Sequence, residues 1–118
     1  MDVAGLQAEL REFAQARDWE KFHDPKNLTT ALAVEAAELM ELFQWSTNSE
    51  SRGARSDPAI LDAAREEIAD VLIYLLRLAD VLSIDLDAAV RAKIAINAEK
   101  YPVEHSKGTA TKYNRRST

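Results

Sequence analysis

Apolar side chains recur every three to four positions along much of the chain, the repeat that gathers them on one face of a helix. Val3, Leu6, Leu10, Phe13 and Ala14 follow it behind Asp2, whose carboxylate suits an N-cap, and so predict a first helix. Residues 18–26 break the repeat, and Asp24-Pro25 marks a turn, because the residue before a proline is pushed out of the helical region. A second helix is expected from Asn27 to about Trp45, with Leu28, Leu32, Leu39 and Leu42 on its apolar side. Residues 46–57, rich in Ser, Arg and Asn, show no period and are expected to form a mobile connection. Asp57-Pro58 pairs an N-cap with proline at the first helical position and opens a third helix that runs to about Leu82. Asp85 caps a fourth, Leu86 to Lys100, with Ala89, Val90 and Ile94 inward and Pro102 as the stop.

The third helix departs from a one-sided pattern. From Ile68 to Leu82 it is apolar on nearly every side, more than four short helices in one subunit can cover, so a partner copy is expected to bury the remainder. With 118 residues, of which only 3 are Gly and 3 Pro, there is room for one compact domain and little material for the tight turns of a strand-built fold. The fold class expected is all-α, a four-helix bundle that oligomerises through its central helices. Residues 1–103 form the domain, and 104–118 a basic, flexible tail in which Lys107, Lys112, Arg115 and Arg116 outweigh Glu104. The longest apolar run, Val71 to Leu76, falls far short of the roughly 20 residues of a membrane span, and no basic, apolar leader follows Met1, so a soluble, cytoplasmic protein is expected.

A formal net charge of -5 argues against a nucleic-acid polymer as partner, since phosphate backbones need a basic surface. With 0 Cys and 2 His, a thiolate site and a histidine zinc triad are both excluded, and any metal must be held mainly by oxygen. The acidic residues that could do so stand inside the two central helices. Glu35 and Glu38, then Glu67 and Asp70, are each three residues apart, which stacks both members of a pair on one helix face. Glu41 extends the first row, and Tyr74 and Arg77 the second.

A single such pair is often only a solvated surface. The second pair leads into the apolar segment, however, where an ionised carboxylate is costly unless paired or bound to metal. If the pairs face one another, two carboxylates about 5 Å apart at an effective dielectric near 20 repel by roughly 3 kcal/mol, a penalty that a divalent cation removes. Oxygen ligands favour Mg²⁺, with Mn²⁺ as a substitute. A di-iron carboxylate bundle would need Glu-x-x-His pairs, and His23 and His105 each stand alone. Clustered carboxylates that hold Mg²⁺ commonly serve phosphate chemistry, and with no glycine-rich phosphate loop the basic side chains must assist. Lys93, Asn97 and Lys100 make one donor-rich row on the fourth helix, or simply a solvated face.

Taken in order, Glu35-x-x-Glu38, Glu67-x-x-Asp70, Lys93-x-x-x-Asn97 and Lys100-Tyr101-Pro102 resemble the MazG-like all-α nucleotide pyrophosphohydrolases. Arg17 to His23, Pro25-x-Asn27-Leu28, Glu41 to Trp45 and Asp70 to Tyr74 look like the dCTP pyrophosphatase branch of that family. The resemblance implies a helical bundle assembled as a dimer or tetramer. It also implies Mg²⁺-dependent hydrolysis of a nucleoside triphosphate, dCTP or a modified cytosine deoxynucleotide, to the monophosphate and pyrophosphate, a house-cleaning of the nucleotide pool.

Carried over residue by residue, Glu35, Glu38, Glu67 and Asp70 become the metal ligands and catalytic carboxylates, one Glu instead orienting the attacking water. Trp19, His23 and Trp45 wall or contact the base, with core packing the alternative for the two tryptophans and a turn role for His23. Asn27 and Asn97 bond base or sugar, Tyr74 the sugar or a phosphate, and Lys93, Lys100 and Tyr101 the phosphates, while Lys112-Tyr113 closes over the site in trans. A broader MazG-type NTP or dUTP pyrophosphohydrolase is the rival within chemistry. Outside it, the rival is a non-catalytic helical oligomerisation module whose acidic face is merely solvated.

Overall fold

The computed structural model describes residues 1–115, and among these the only regular structure is helical. Helix α1 spans Val3–Ala16, opened by Asp2, whose carboxylate accepts the Gly5 N–H at 2.9 Å. It ends as Asp18 enters the left-handed region at φ 54°, a conformation that Asp tolerates better than most residues. A 3₁₀ turn, Glu20–Phe22, follows.

Helix α2 runs Pro25–Glu41, beginning two residues earlier than the apolar repeat suggests because Pro25 occupies the first turn, where its missing N–H costs nothing. It also ends sooner. Residues 42–45 keep turning, but through tighter i to i+3 bonds, Phe43 N–H to Met40 O at 3.0 Å and Ser46 N–H to Phe43 O at 3.0 Å.

The segment expected to be a mobile connection is folded. Thr47 and Glu50 form a reciprocal capping box at 3.1 Å in each direction and nucleate α3, Asn48–Arg52, which a 3₁₀ turn at Ala54–Ser56 joins to the next helix. Helix α4, Pro58–Val81, is the longest, capped by Asp57 through Ala59 N–H at 3.1 Å and Ile60 N–H at 3.4 Å. Helix α5, Leu86–Lys100, starts at Asp85 as the cap residue predicts. The basic tail contains a helical turn, α6, Val103–Ser106, and Arg116 lies outside the described residues.

The chain divides into two compact units, one from Met1 to Ile84 and one from Asp85 onward. In the first, α4 is the central element: α2 packs along it most extensively and α1 also lies against it. The buried core is made of the small residues Ala14, Ala64 and Ala79 and of Leu28 and Leu76, the last two each 2% exposed. Part of α4 stays open: Ile68 is 55% exposed, and Ile73, Leu75 and Val81 remain partly open. On α5, Val90 and Ile94, expected inward, are exposed, and no residue of this helix is buried. Among the described residues, no helix is long and apolar enough to cross a membrane.

Candidate active site

The packing of α2 on α4 turns the two acidic pairs toward each other. One carboxylate oxygen each from Glu35, Glu38 and Glu67 lie within 4.8 Å of one another, although they come from positions up to a full helix apart in sequence. Asp70 stands one turn along α4 from Glu67, close enough for its charge to act on both Glu35 and Glu67.

The electrostatic result is a carboxylate that resists ionisation. Burial first, and then the neighbouring Glu38, Asp70 and Glu67, push Glu35 up to about 7 from its ordinary 4.5. Glu67 is raised as well, by burial first and then by the charge of Glu38. Oε2 of Glu35 and Oε2 of Glu67 are both buried with no hydrogen-bond partner. Orphaned buried acceptors are expensive, and here two of them sit in a cluster of like charges. An all-oxygen donor set with unsatisfied lone pairs and excess negative charge suits a hard divalent cation. Glu35, Glu38 and Glu67, with Asp70 beside them, therefore fit a hard divalent cation on their own chemistry.

Beside this cluster, within the first unit, lies a cavity of about 280 Å³. Its acidic end is formed by Glu35 and Asp70 and its apolar wall by Leu10, Phe13, Trp19 and Ile73, while His23, Tyr74 and Arg77 supply polar groups. Trp19 is held in place from both ends. Its backbone N–H bonds Ala14 O at 2.9 Å, and its ring meets Phe13 edge to face with centroids 5.8 Å apart. A flat ring can thus lie against a wall already fixed by α1.

Arg77 is the unexpected member. It is 6% exposed, inside the apolar stretch of α4, and each of its three nitrogens faces a partner. Nε–H donates to His23 Nδ1 at 2.9 Å, Nη1 to Asp80 at 3.3 Å, and Nη2 lies 3.8 Å from Glu20. Asp80 in turn accepts two bonds from Arg11, at 3.0 and 2.9 Å, which hold its carboxyl below the usual range. The network ties α1, the 3₁₀ turn and α4 together behind the cavity.

Of the residues singled out from the sequence, Glu35, Glu38, Glu67, Asp70, Trp19, His23 and Tyr74 are brought together in this unit. Asn27 is not at the cavity wall; its Nδ2 donates to Phe22 O at 3.0 Å and pins the 3₁₀ turn to the start of α2. Trp45, past the end of α2, is 90% exposed in the chain. Lys93, Asn97 and Lys100 lie on α5 of the second unit, with Tyr101 as its C-cap. There Lys100 Nζ stands 4.8 Å from the Tyr113 ring centre, and Tyr101 and Tyr113 meet edge to face. Leu10, Phe13, Ile73 and Arg77 were not singled out as site residues. The first three are indistinguishable from core positions in a helical repeat, but an arginine within an apolar run was a usable signal, since such a charge is buried only with partners.

Comparison with known proteins places the chain in a family. The model of the MazG-like family matches residues 30–115. The chain is 46% identical over 112 residues to dCTP pyrophosphatase 1 of Rattus norvegicus and 45% identical over 112 residues to that of Homo sapiens. Each match takes in 95% of this chain and 64% of the relative, so the chain spans just under two thirds of the length of these proteins. Among solved structures, a pyrophosphatase from Archaeoglobus fulgidus is similar with a TM-score of 0.76 and 42% identity, over 86% of this chain and 94% of that one. A match to the family model over most of the chain, on a helical fold that assembles the acidic pairs at one place, establishes that the chain belongs to the MazG-like family.

Proposed function

We propose that this protein is a nucleoside triphosphate pyrophosphohydrolase that hydrolyses dCTP, or a modified cytosine deoxynucleotide, to the monophosphate and pyrophosphate. The observation that carries the reading is the placement of three carboxylates within 4.8 Å of one another beside a cavity walled by an aromatic ring. Membership of the MazG-like family and the likeness to proteins named dCTP pyrophosphatase 1 support it.

In this reading Glu35, Glu38, Glu67 and Asp70 hold Mg²⁺, for which Mn²⁺ can substitute. Bound there, the ion supplies charge to the phosphoryl oxygens and lowers the cost of the negative charge that builds up during attack by water. The remaining work falls to the chain. Glu35 or Glu67, each with a buried Oε2 that has no protein partner, orients the attacking water. Trp19 offers its face to the pyrimidine, and His23 and Tyr74 offer hydrogen bonds at the edge of the cavity. Lys93, Asn97, Lys100 and Tyr101 are assigned the phosphates and sugar, and Asn27 and Trp45 the outer contacts to the base or sugar.

The same reading makes the functional form a homodimer or tetramer, a helical bundle joined through its central helices. The open apolar residues of α4, Ile68 and Ile73 among them, support this, since a contiguous apolar surface on a long helix calls for cover. The enzyme works in the cytoplasm, where nucleotide triphosphates are made and used. A panel of nucleoside triphosphates with Mg²⁺, resolved for pyrophosphate release, tests the proposal. The expected order has dCTP first; comparable rates on all triphosphates would favour the broad MazG-type activity, and release of orthophosphate alone would contradict the reaction assigned.

A further inference from the structure

We propose that Arg77 is a positioning residue that fixes His23 as the neutral ring protonated on Nε2, so that the cavity offers the base a hydrogen-bond donor. Such a donor selects a base whose ring nitrogen carries no proton, as N3 of cytosine does not, and rejects one whose N3 is protonated, as in uracil and thymine. The inference rests on the reading of the cavity as the base pocket.

The argument begins with what arginine can do. Its guanidinium has five N–H donors and no acceptor, and it does not lose its proton in a protein. With Arg77 Nε–H 2.9 Å from His23 Nδ1, that nitrogen must present its lone pair. An imidazolium would set N–H against N–H, and the Nδ1-protonated neutral ring would do the same. The single proton of the ring is left on Nε2, because the partner of one ring nitrogen decides the state of the other. Burial first, and then the charge of Arg77, lower the pKa of His23, which agrees with a ring kept neutral.

The device is rigid. Arg77 is among the most buried residues of the chain, and its two remaining nitrogens face Asp80 at 3.3 Å and Glu20 at 3.8 Å. Asp80 is itself clamped by Arg11 through two bonds. Rotating Arg77 away from His23 would break this chain of charge-assisted contacts around a buried guanidinium.

The choice between cytosine and uracil cannot be made by size, since the rings match in shape and differ at the edge. At N3 the difference is an inversion, acceptor in cytosine and donor in uracil. A locked donor turns that inversion into a bond with one base and two opposed protons with the other. A site built to hydrogen-bond a particular edge rejects the analogue that cannot complete the bond far better than an apolar slot does.

Two measurements on the wild-type protein test the proposal. Nitrogen-15 NMR of the His23 side chain in the full chain should show one form, unprotonated at Nδ1 and protonated at Nε2; an Nδ1-protonated ring or an imidazolium at neutral pH would overturn it. With Mg²⁺ present, kcat/KM for 3-deaza-dCTP, which has carbon in place of N3, should fall at least about tenfold below that for dCTP. Equal turnover of the two would overturn this inference alone, whereas failure to hydrolyse any triphosphate would overturn the parent reading and this one with it. The Arg77→Met variant, where it folds, should show a second ring form at His23 and lose about tenfold of the preference for dCTP over dUTP. An unchanged ring and an unchanged preference in a folded variant would contradict the role given to Arg77. If the variant does not fold, the two wild-type measurements decide.

Discussion

Glu35 is a carboxylate that the fold makes reluctant to ionise, and its behaviour ties stability to metal binding. Its folded value is pushed up to about 7, by burial first, so between the ordinary 4.5 and about 7 the folded chain keeps a proton that the unfolded chain has lost. Stability therefore falls as pH rises through that window. Glu67 acts in the same direction, whereas the lowered pKa of His23 acts against it, adding stability as pH rises through the unfolded histidine value. The Glu35→Gln variant isolates the effect. In a chelating buffer the Tm of the wild type should decline relative to that of Glu35→Gln as pH is raised from about 5 to about 8, and saturating Mg²⁺ should remove the decline. Parallel Tm profiles would mean that Glu35 is not strained in the folded protein. Proton and cation compete for the same oxygens, so the apparent affinity for Mg²⁺ should also rise with pH.

The carboxylate pairs were legible in the sequence because an i, i+3 spacing is local and helical geometry does the rest. The engagement of Arg77 was not, since its partner His23 lies 54 residues away and no local rule joins them.

At the scale of elements, the N-caps Asp2, Asp57 and Asp85 and the proline at position 58 marked three helix starts, because caps and proline act through the chain's own backbone, whereas Pro25, read as a turn, opens α2. Helix α3 shows where the pattern of apolar positions stops being informative. Residues 48–52 contain no apolar side chain at all, so no repeat can reveal them, and the helix rests on the capping box between Thr47 and Glu50. The signal was present as Thr-x-x-Glu, but it preceded a polar run and not an apolar one. Thr47→Ala should cost the segment about 1 kcal/mol. The loss should appear in amide hydrogen exchange, with the Glu50 N–H losing protection while amides in the middle of α4 do not; unchanged exchange at Glu50 would mean that the box is not what holds α3. The end of α2 was misjudged for a different reason. Leu42, Phe43 and Trp45 continue the apolar composition, but the backbone there tightens to i to i+3 bonds, a change that composition does not encode.

At the scale of the whole molecule, the chain leaves an account of its own surface incomplete. Helix α4 was expected to be buried on every side, yet part of it stays open. The sequence carried the apolar excess, for which a partner copy was the expected cover. Light scattering at micromolar concentration should give at least a dimer, and Ile68→Lys, which puts a charge on a residue already 55% exposed in the chain, should shift the mass toward the monomer with little change to α-helix content. A monomer for the wild type would contradict the assembly proposed.

The central claim is that the carboxylates gathered from α2 and α4 serve metal-assisted hydrolysis of a nucleotide. It is tested most directly by the rate of pyrophosphate release from dCTP as Mg²⁺ is titrated, for the wild type and for Asp70→Asn. The account predicts a wild-type rate that is negligible under chelation and saturates with Mg²⁺, and a variant that needs more Mg²⁺ and turns over at least about tenfold more slowly at saturation. Equal rates with and without Mg²⁺, or an Asp70→Asn curve that overlays the wild type, would contradict it.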